Sequence, residues 1–233
     1  VNDYKNSGFL PDAVMNYLAL LGWNPGTDQE IFTLEELIQQ FDLTKVQKSG
    51  AIFDIEKLKW INREHIKKMS DDVFKKVAIE WIPQSLRSSP NWSDEKFSKI
   101  LGILRERTSL LKDITDMSQA GELDFFFTSP ETNKHLVMPR GKGASKESSD
   151  IANFLTKGKE ILQSITEEMW SDETVKSALW EYATEIGRGN ILWPIRVALS
   201  GRENSPDPFA LAKILGKIET LKRIDSAIQI LAS

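Results

Sequence analysis

Apolar residues recur every three or four positions along most of the chain, and residues that begin or end helices separate these segments. Pro11 stands where the first turn of a helix over 12–21 tolerates proline, and Gly22 follows that segment directly. Thr33 and Glu36 have the spacing of a capping box, which predicts another helix start. Long stretches of alternating apolar and polar residues do not occur, so the pattern predicts a mainly α chain.

The next helical segment begins after Asp54, whose carboxylate can cap a helix N-terminus. Leu58 and Ile61 have the spacing of a buried stripe, and we expect Trp60 to join the same core. The stretch 50–53 is expected to form a short extended piece before this helix. The first part of the chain is therefore predicted to be a small, mixed helical unit.

Two stretches rich in serine, glycine and proline divide the helical segments. The first is 88–91 (SSPN), which we interpret as a hinge, and the second is 139–149 (PRGKGASKESS), which we interpret as a linker. A mixed helical unit followed by two all-α bundles is predicted, with bounds of 1–85, 86–138, 139–149 for the linker, and 150–233.

Composition excludes several kinds of function. The 233 residues include no cysteine, which rules out disulfides, thiolate chemistry and cysteine zinc sites. His65 and His135 lie far apart in sequence and have no metal-ligand spacing. No apolar run approaches the roughly 18 residues of a membrane span, so no membrane contact is expected.

Charge is unevenly distributed along this chain of net charge −4. Residues 42–76 contain nine lysines and arginines against six acidic residues, and residues 187–223 contain seven against three. Basic faces on an acidic protein suit docking to one folded RNA better than indiscriminate RNA binding. The alternative is that these are ordinary solvated helix faces.

No group of side chains has the spacing of a catalytic centre. The run 141–143 (GKG) lacks the GxxxxGK[ST] pattern and a preceding strand, so it predicts a loop and not a phosphate site. Serine, histidine and acidic residues form no recognisable catalytic set, and no metal cluster stands out. The chain begins with Val1 rather than Met, and we expect it to be a piece of a longer protein.

The most informative segment is 193–221, WPIRVALSGRENSPDPFALAKILGKIETL. It predicts a short apolar helix with one arginine, a polar loop with two prolines, and further helix. Segment 8–23, GFLPDAVMNYLALLGW, lies at the opposite end of the chain. In this order the two segments resemble the part of bacterial-type glutamyl-tRNA synthetases that follows the catalytic domain, including its anticodon-binding region.

The resemblance extends over nearly the whole chain and implies the activity of a parent enzyme. In this family, HIGH-like and KMSKS-like motifs mark the domain that binds ATP and glutamate, and neither motif occurs here. The resemblance implies that the parent attaches glutamate to tRNA-Glu with ATP and Mg²⁺. It further implies that this chain alone is inactive, holds no cofactor, and binds tRNA-Glu as a monomeric, cytoplasmic protein.

The resemblance also implies that 1–85 is a stem-contact subdomain. Its candidate contacts with the tRNA stem are Lys57, Lys59 and Asn62. In relatives, the lysine that matches Lys57 faces the inner corner of the L-shaped tRNA, where a cation positions the backbone without reading sequence. The alternative is an ordinary exposed lysine.

In the middle bundle, Arg107 matches a family arginine that reads the third anticodon base. A guanidinium can hydrogen-bond or stack on a splayed base in a way that lysine cannot copy. Its retention is associated with rejection of the glutamine isoacceptor, which implies a discriminating enzyme that charges tRNA-Glu only. Arg105 lies two residues away and leaves the assignment open, as does an ion pair of Arg107 with Glu106 or Asp113.

Arg196, Ser205 and Pro208 match family positions around the first two anticodon bases. Relatives can carry a threonine in place of Ser205, which keeps the hydroxyl, and an aliphatic residue in place of Pro208. Pro206 and Pro208 restrict the loop, so its backbone meets unstacked bases at a lower ordering cost.

A second interpretation is a stand-alone, non-enzymatic helical module that binds RNA or acts as a scaffold. The coding sequence upstream of Val1 discriminates between the two. HIGH-like and KLSKR-like motifs in that sequence would support the ligase, whereas a natural start codon near Val1 would favour the module.

Overall fold

The computed structural model describes residues 2–46 and 52–233. Within these ranges the regular secondary structure is helical, apart from one isolated antiparallel bridge between Trp23 and Val46. The mainly α prediction is therefore confirmed. Of the predicted extended piece over 50–53, residues 50 and 51 lie outside the described part of the chain, and the rest belongs to no element.

Fifteen α-helices occur in the described residues. They are α1 (Asn2–Asn6), α2 (Pro11–Gly22), α3 (Leu34–Gln40), α4 (Ile55–Lys68), α5 (Asp71–Ala78), α6 (Gln84–Arg87), α7 (Asp94–Arg107), α8 (Lys112–Gln119), α9 (Asp124–Phe127), α10 (Lys134–Val137), α11 (Ser148–Gln163), α12 (Asp172–Ile186), α13 (Gly189–Ser200), α14 (Pro208–Leu215) and α15 (Lys217–Ala232). Short 3-10 turns cover Leu43–Lys45 and Ile79–Trp81.

The predicted helix starts are built as the sequence indicates. Thr33 Oγ1 accepts a hydrogen bond from the backbone N–H of Glu36 at 3.1 Å, and the Glu36 carboxylate accepts one from the backbone N–H of Thr33 at 2.7 Å. This reciprocal capping box satisfies two donors that a helix start otherwise leaves unpaired. Asp54 caps α4 by accepting from the backbone N–H of Glu56 at 2.9 Å.

The chain divides into two compact units. The first consists of Val1–Ser88 with Leu101–Ala120, and the second of Ser89–Ile100 with Gly121–Ser233. The three-part functional division predicted from the sequence stays a prediction, because compactness alone does not say which residues contact a partner. In the described residues, no helix is long and apolar enough to cross a lipid bilayer.

The first unit is built around the packing of α2 against α4. Leu58 and Ile61 are fully buried, as predicted, and Trp23 packs edge-on against Phe32 with ring centroids 5.6 Å apart. Trp60 is 42% exposed, so its assignment to the core was wrong. At about 100° per residue, position 60 lies roughly 200° around the helix from position 58 and points away from the buried stripe.

The second unit is organised by α11, α13 and α15, which pack against one another. Helix α13 is almost enclosed, with Ile191, Ile195 and Leu199 at most 2% exposed. Gly158 on α11 permits this packing, because a Cβ atom there would lie 2.6 Å from Cδ1 of Ile191. Because α13 is packed against other helices on most of its faces, its sequence is apolar on most of its faces as well.

The predicted linker over 139–149 is loop as far as residue 147, where α11 follows. Asn190 holds this loop at two points. Its Oδ1 accepts from the backbone N–H of Ser145 at 2.9 Å, and its Nδ2 donates to the carbonyl of Gly143 at 3.3 Å. The loop therefore lies within the second unit rather than between the two units.

Candidate nucleic-acid interface

Residues 201–207 form a loop between α13 and α14, in the segment that the sequence marked as most informative. Helix α13 ends at Gly201, which adopts a left-handed φ of 67°. Helix α14 begins at Pro208, and the preceding residue, Asp207, is its N-cap. The Asp207 carboxylate accepts hydrogen bonds from the backbone N–H groups of Phe209 and Ala210 at 3.0 Å each. Both ends of the loop are thus fixed by local chemistry.

Gly201 is needed at the start of this loop for two reasons. L-residues rarely adopt its positive φ, and a Cβ atom there would lie 2.6 Å from Cβ of Pro130. The hydroxyl of Ser200 further fixes the turn, since it donates to the carbonyl of Arg196 at 2.8 Å and accepts from the backbone N–H of Arg202 at 3.2 Å. The loop therefore leaves α13 in one defined direction.

Arg196 projects from α13 as a guanidinium stacked on an aromatic ring. Its Cζ lies 4.7 Å from the ring centroid of Trp193, and the Trp193 indole N–H is fixed by donation to the carbonyl of Leu136 at 2.9 Å. The buried Nε of Arg196 has no hydrogen-bond partner, and no ion pair to Arg196 is formed by the residues the structure describes. A planar cation held on a tryptophan without an acidic partner is suited to an outside ligand.

Ser205 and Pro208 differ in their availability. Ser205 is half-exposed in the loop, and its hydroxyl makes only a long bond of 3.4 Å to the carbonyl of Pro206, so it can bind another group. Pro208 is buried as the first residue of α14. Its side chain therefore offers little surface to a base, which argues against its assignment as an anticodon contact.

A cleft of about 240 Å³ lies beside the start of the loop. One wall comes from residues in 121–131, including Asp124, and the other from Ser200, Gly201 and Arg202. Sequence analysis missed this cleft, because its two walls are separated by about seventy residues and carry no shared motif. The cleft adds polar groups to the surface next to the loop.

In the first unit, Lys57 and Lys59 lie on α4 as predicted, and both take part in ion pairs. Lys57 pairs with Glu30, and Lys59 Nζ lies 2.8 Å from an oxygen of Glu56. The side chains are 40% and 39% exposed, respectively. Exposed ion pairs contribute only about 0–1 kcal/mol, so an RNA phosphate can compete with the carboxylates for these lysines.

Asn62, the third predicted stem contact, is fully buried. Its Oδ1 accepts from the backbone N–H of Leu10 at 2.7 Å, and its Nδ2 donates to the carbonyl of Ser109 at 2.6 Å. Both ends of the amide are therefore occupied inside the first unit. This corrects the prediction, and Asn62 is a structural residue that satisfies one buried and one part-buried backbone group.

The structure distinguishes the two arginines near the end of α7. Arg105 Nη2 lies 2.7 Å from Oδ1 of Asp71, and its guanidinium carbon is 4.9 Å from the ring centroid of Phe74. Arg107 is the last residue of the helix and is exposed. Only 20% of the Arg105 side chain is exposed, so exposure favours Arg107 as the side chain that can reach a ligand, and its role stays a prediction.

The candidate residues fall into two groups. Lys57, Lys59 and Arg107 belong to the first unit. Lys57 and Lys59 lie on α4, and α4 contacts the end of α7, because Arg63 Nη2 donates to the carbonyl of Glu106 at 2.9 Å. Arg196 and Ser205 belong to the second unit. Among the described residues, no three histidine, cysteine or acidic side chains could jointly hold a metal ion.

Two family models match the chain. Residues 56–228 match the model described as "Anticodon binding domain", and residues 1–60 match "tRNA synthetases class I (E and Q), catalytic domain". The two matches meet at the start of α4 and not near residue 85. The boundary predicted there for a stem-contact subdomain stays a prediction.

Curated and solved relatives agree with these matches. The chain is 40% identical to the glutamate–tRNA ligase of Clostridium botulinum (strain Eklund 17B / Type B) over 232 residues, which are 98% of this chain and 45% of that protein. It is 39% identical to the Clostridium tetani glutamate–tRNA ligase, over 97% of this chain and 44% of that protein.

A crystal structure of a glutamate tRNA ligase from Elizabethkingia meningosepticum, in complex with its amino acid, superposes with a TM-score of 0.71 at 33% identity. The alignment covers 98% of this chain and 43% of that one. The chain thus spans less than half the length of the curated relatives that it matches. With its match to the family model over residues 56–228, the chain belongs to the anticodon-binding-domain family, in the form found in glutamate–tRNA ligases.

Proposed function

We propose that this chain binds the anticodon loop and the inner elbow of tRNA-Glu as part of a glutamate–tRNA ligase. The observation that carries the proposal is the Arg196 guanidinium, which is stacked on Trp193 without an acidic partner, next to a loop with fixed ends. Contacts far from the reacting groups orient the acceptor end and select the tRNA, and they supply no chemistry themselves.

The loop on the second unit has the properties that single-stranded RNA recognition needs. Unstacked bases bind to aromatic and guanidinium planes and to hydrogen-bonding groups at their edges. Arg196 offers the plane, and the Ser205 hydroxyl offers a donor and an acceptor. Because Gly201 and Asp207 fix the loop ends in the free protein, little ordering remains for the binding step to supply.

The first unit contributes cations on α4 and α7. We assign Lys57 and Lys59 to the phosphate backbone of the stem, where they position the tRNA without reading its sequence. The exposed Arg107 is assigned to the third anticodon base. Attachment of glutamate with ATP and Mg²⁺, a monomeric state and a cytoplasmic location complete the proposal for the whole protein.

Direct binding of tRNA-Glu to the 233-residue chain tests this proposal. If four phosphates are contacted, the logarithm of the association constant should fall with the logarithm of salt concentration with a slope of about −3 to −4. Filter binding over a range of salt measures that slope, and a tRNA with an unrelated anticodon serves as the control. Absence of association with tRNA-Glu at low ionic strength would contradict the proposal.

Replacing Arg107 with glutamine should reduce discrimination at the third anticodon base. We expect the ratio of affinities for tRNA-Glu and for a tRNA-Glu altered at that base to fall by about 5- to 150-fold, since one good base contact is worth about 1–3 kcal/mol. Competition binding with the two RNAs measures the ratio.

Arg105→Gln is the matched control for this experiment. It removes the ion pair with Asp71 and the contact with the Phe74 ring, so it should lower the melting temperature and leave the affinity ratio unchanged. If Arg105→Gln changes the ratio and Arg107→Gln does not, the third base has been assigned to the wrong arginine.

A further inference from the structure

Arg223 on α15 is a charged side chain that the proposed function does not use, and it is only 4% exposed. Its Nη1 donates to the carbonyl of Phe125 at 2.8 Å and also to the carbonyl of Leu199. Its Nη2 lies 3.5 Å from the carbonyl of Thr128, and its Nε donates to the Glu219 carboxylate at 2.8 Å. One guanidinium therefore joins three separate segments of the second unit.

The Glu219 carboxylate completes the arrangement. Burial alone would raise the pKa of Glu219, but hydrogen bonds from Ser129 and Arg223 outweigh it, and the pKa lies below its ordinary value. The Ser129 hydroxyl donates to this carboxylate at 2.6 Å. Glu219 therefore remains ionised at neutral pH, and the pair ties residues 125–129 to α15 with charge-assisted bonds.

Two of the segments that Arg223 joins lie next to the 201–207 loop. The Leu199 carbonyl belongs to the last turn of α13, where carbonyls lack a partner within the helix. Arg223 supplies that partner two residues before Gly201 begins the loop. The carbonyls of Phe125 and Thr128 belong to the opposite wall of the 240 Å³ cleft.

We infer that Arg223 is a positioning residue, which fixes the direction in which the 201–207 loop leaves α13 and the width of the adjoining cleft. The inference rests on the proposed function, because the loop matters for RNA binding only if it meets the anticodon. Arg223 itself is buried and does not touch RNA. It acts through the backbone of Leu199 and through the residues that follow it.

The chemistry requires arginine at this position. A guanidinium carries five N–H donors in a rigid plane, so it can reach four acceptors in different directions at once. A lysine ammonium concentrates three donors at one point, and it cannot span the carbonyls of Phe125 and Leu199 together with the Glu219 carboxylate. Arg223→Lys therefore keeps the charge and removes the geometry.

Amide hydrogen exchange and tRNA-Glu binding of Arg223→Lys together test the inference. We expect exchange at the backbone N–H groups of Gly201 and Arg202 to accelerate about tenfold, and the affinity for tRNA-Glu to fall by a similar factor, as expected for a lost charge-assisted hydrogen bond. The exchange measurement needs no RNA. Failure of the inference is therefore distinguishable from failure of the proposed function.

Lys217→Met is the matched control. Lys217 is also a cation on α15 that donates to two backbone carbonyls, that of Gln163 (3.0 Å) at the end of α11 and that of Ile165 just after it. This variant should lower the melting temperature without changing exchange at Gly201 or the affinity. Equal effects of the two variants on exchange and affinity would overturn the inference, as would wild-type behaviour of Arg223→Lys.

A second variant covers the case in which Arg223→Lys does not fold. Glu219→Gln keeps the shape and one acceptor oxygen but weakens the bond to Arg223 Nε and the bond from Ser129. Glu219→Gln should also accelerate exchange at Gly201, by a smaller factor than Arg223→Lys. Unchanged exchange in Glu219→Gln would count against the inference.

Discussion

Replacing Arg196 with alanine should weaken the binding of tRNA-Glu by about 10- to 100-fold, which corresponds to a loss of about 1.4–2.7 kcal/mol. The wild-type guanidinium is stacked on Trp193 and has no acidic partner, so removing it breaks no internal ion pair. The melting temperature should therefore change by only a few degrees. Filter binding at fixed salt and thermal denaturation measure the two quantities.

Arg188 provides a matched control, because it also lies over a tryptophan in the second unit. Its guanidinium carbon is 4.3 Å from the ring centroid of Trp180, just before the N-terminal end of α13. Arg188→Ala removes the same charge and the same kind of contact, away from the 201–207 loop. We expect its affinity for tRNA-Glu to stay within about twofold of wild type, because only non-specific attraction is lost.

A third variant separates charge from shape. Arg196→Lys keeps a cation on α13 but loses the planar group that can stack on a base, so most of the affinity loss should remain. If Arg196→Lys binds like wild type, the contribution of Arg196 is electrostatic attraction and not base recognition. Equal losses for Arg196→Ala and Arg188→Ala would show that net charge alone governs binding.

Features that depend on neighbouring residues could be predicted from the sequence. The capping box of Thr33 and Glu36 involves residues three positions apart, and the structure forms it as expected. Proline at the start of α2 acts through its own fixed backbone angle. Such signals need no knowledge of the tertiary structure, which explains why the helical architecture was predictable.

Burial was harder to predict, because it depends on how a residue is placed around its helix as well as on its type. Asn62 lies four residues after Leu58 and therefore on the buried face of α4, although a polar side chain suggested the surface. Trp60 is apolar but lies on the opposite side. For both residues, helical periodicity was the better guide, and residue type was misleading.

Nothing in the sequence indicated the hydrogen bonds made by Arg223, apart from a possible ion pair with Glu219 four residues earlier on the same helix. Its other acceptors are the backbone carbonyls of Phe125, Thr128 and Leu199, which are 98, 95 and 24 residues away in sequence. A backbone carbonyl is the same group in every residue. A sequence therefore cannot indicate which carbonyls will meet a buried guanidinium.

Of the substitutions proposed for this chain, Gly8→Ala should have the largest effect on stability. We expect it to lower the free energy of unfolding by about 3–5 kcal/mol. Gly8 has a φ of 83°, and a Cβ atom there would lie 2.5 Å from the backbone nitrogen of Lys112 and 2.6 Å from that of Leu111. Backbone atoms cannot move aside as a flexible side chain can. The same crossing carries a hydrogen bond of 3.1 Å from the Leu111 N–H to the Gly8 carbonyl, which the displaced chain would lose.

Gly22→Ala is the matched control, because it makes the same chemical change in the same unit without a steric conflict. Gly22 ends α2 with no positive φ, and no atom lies within 4 Å of the added Cβ. Alanine there should raise the free energy of unfolding by about 0.4–1 kcal/mol, because it restricts the unfolded chain. Urea denaturation followed by circular dichroism measures both variants. A Gly8→Ala protein as stable as wild type would mean that the chain does not cross Leu111 closely at this point.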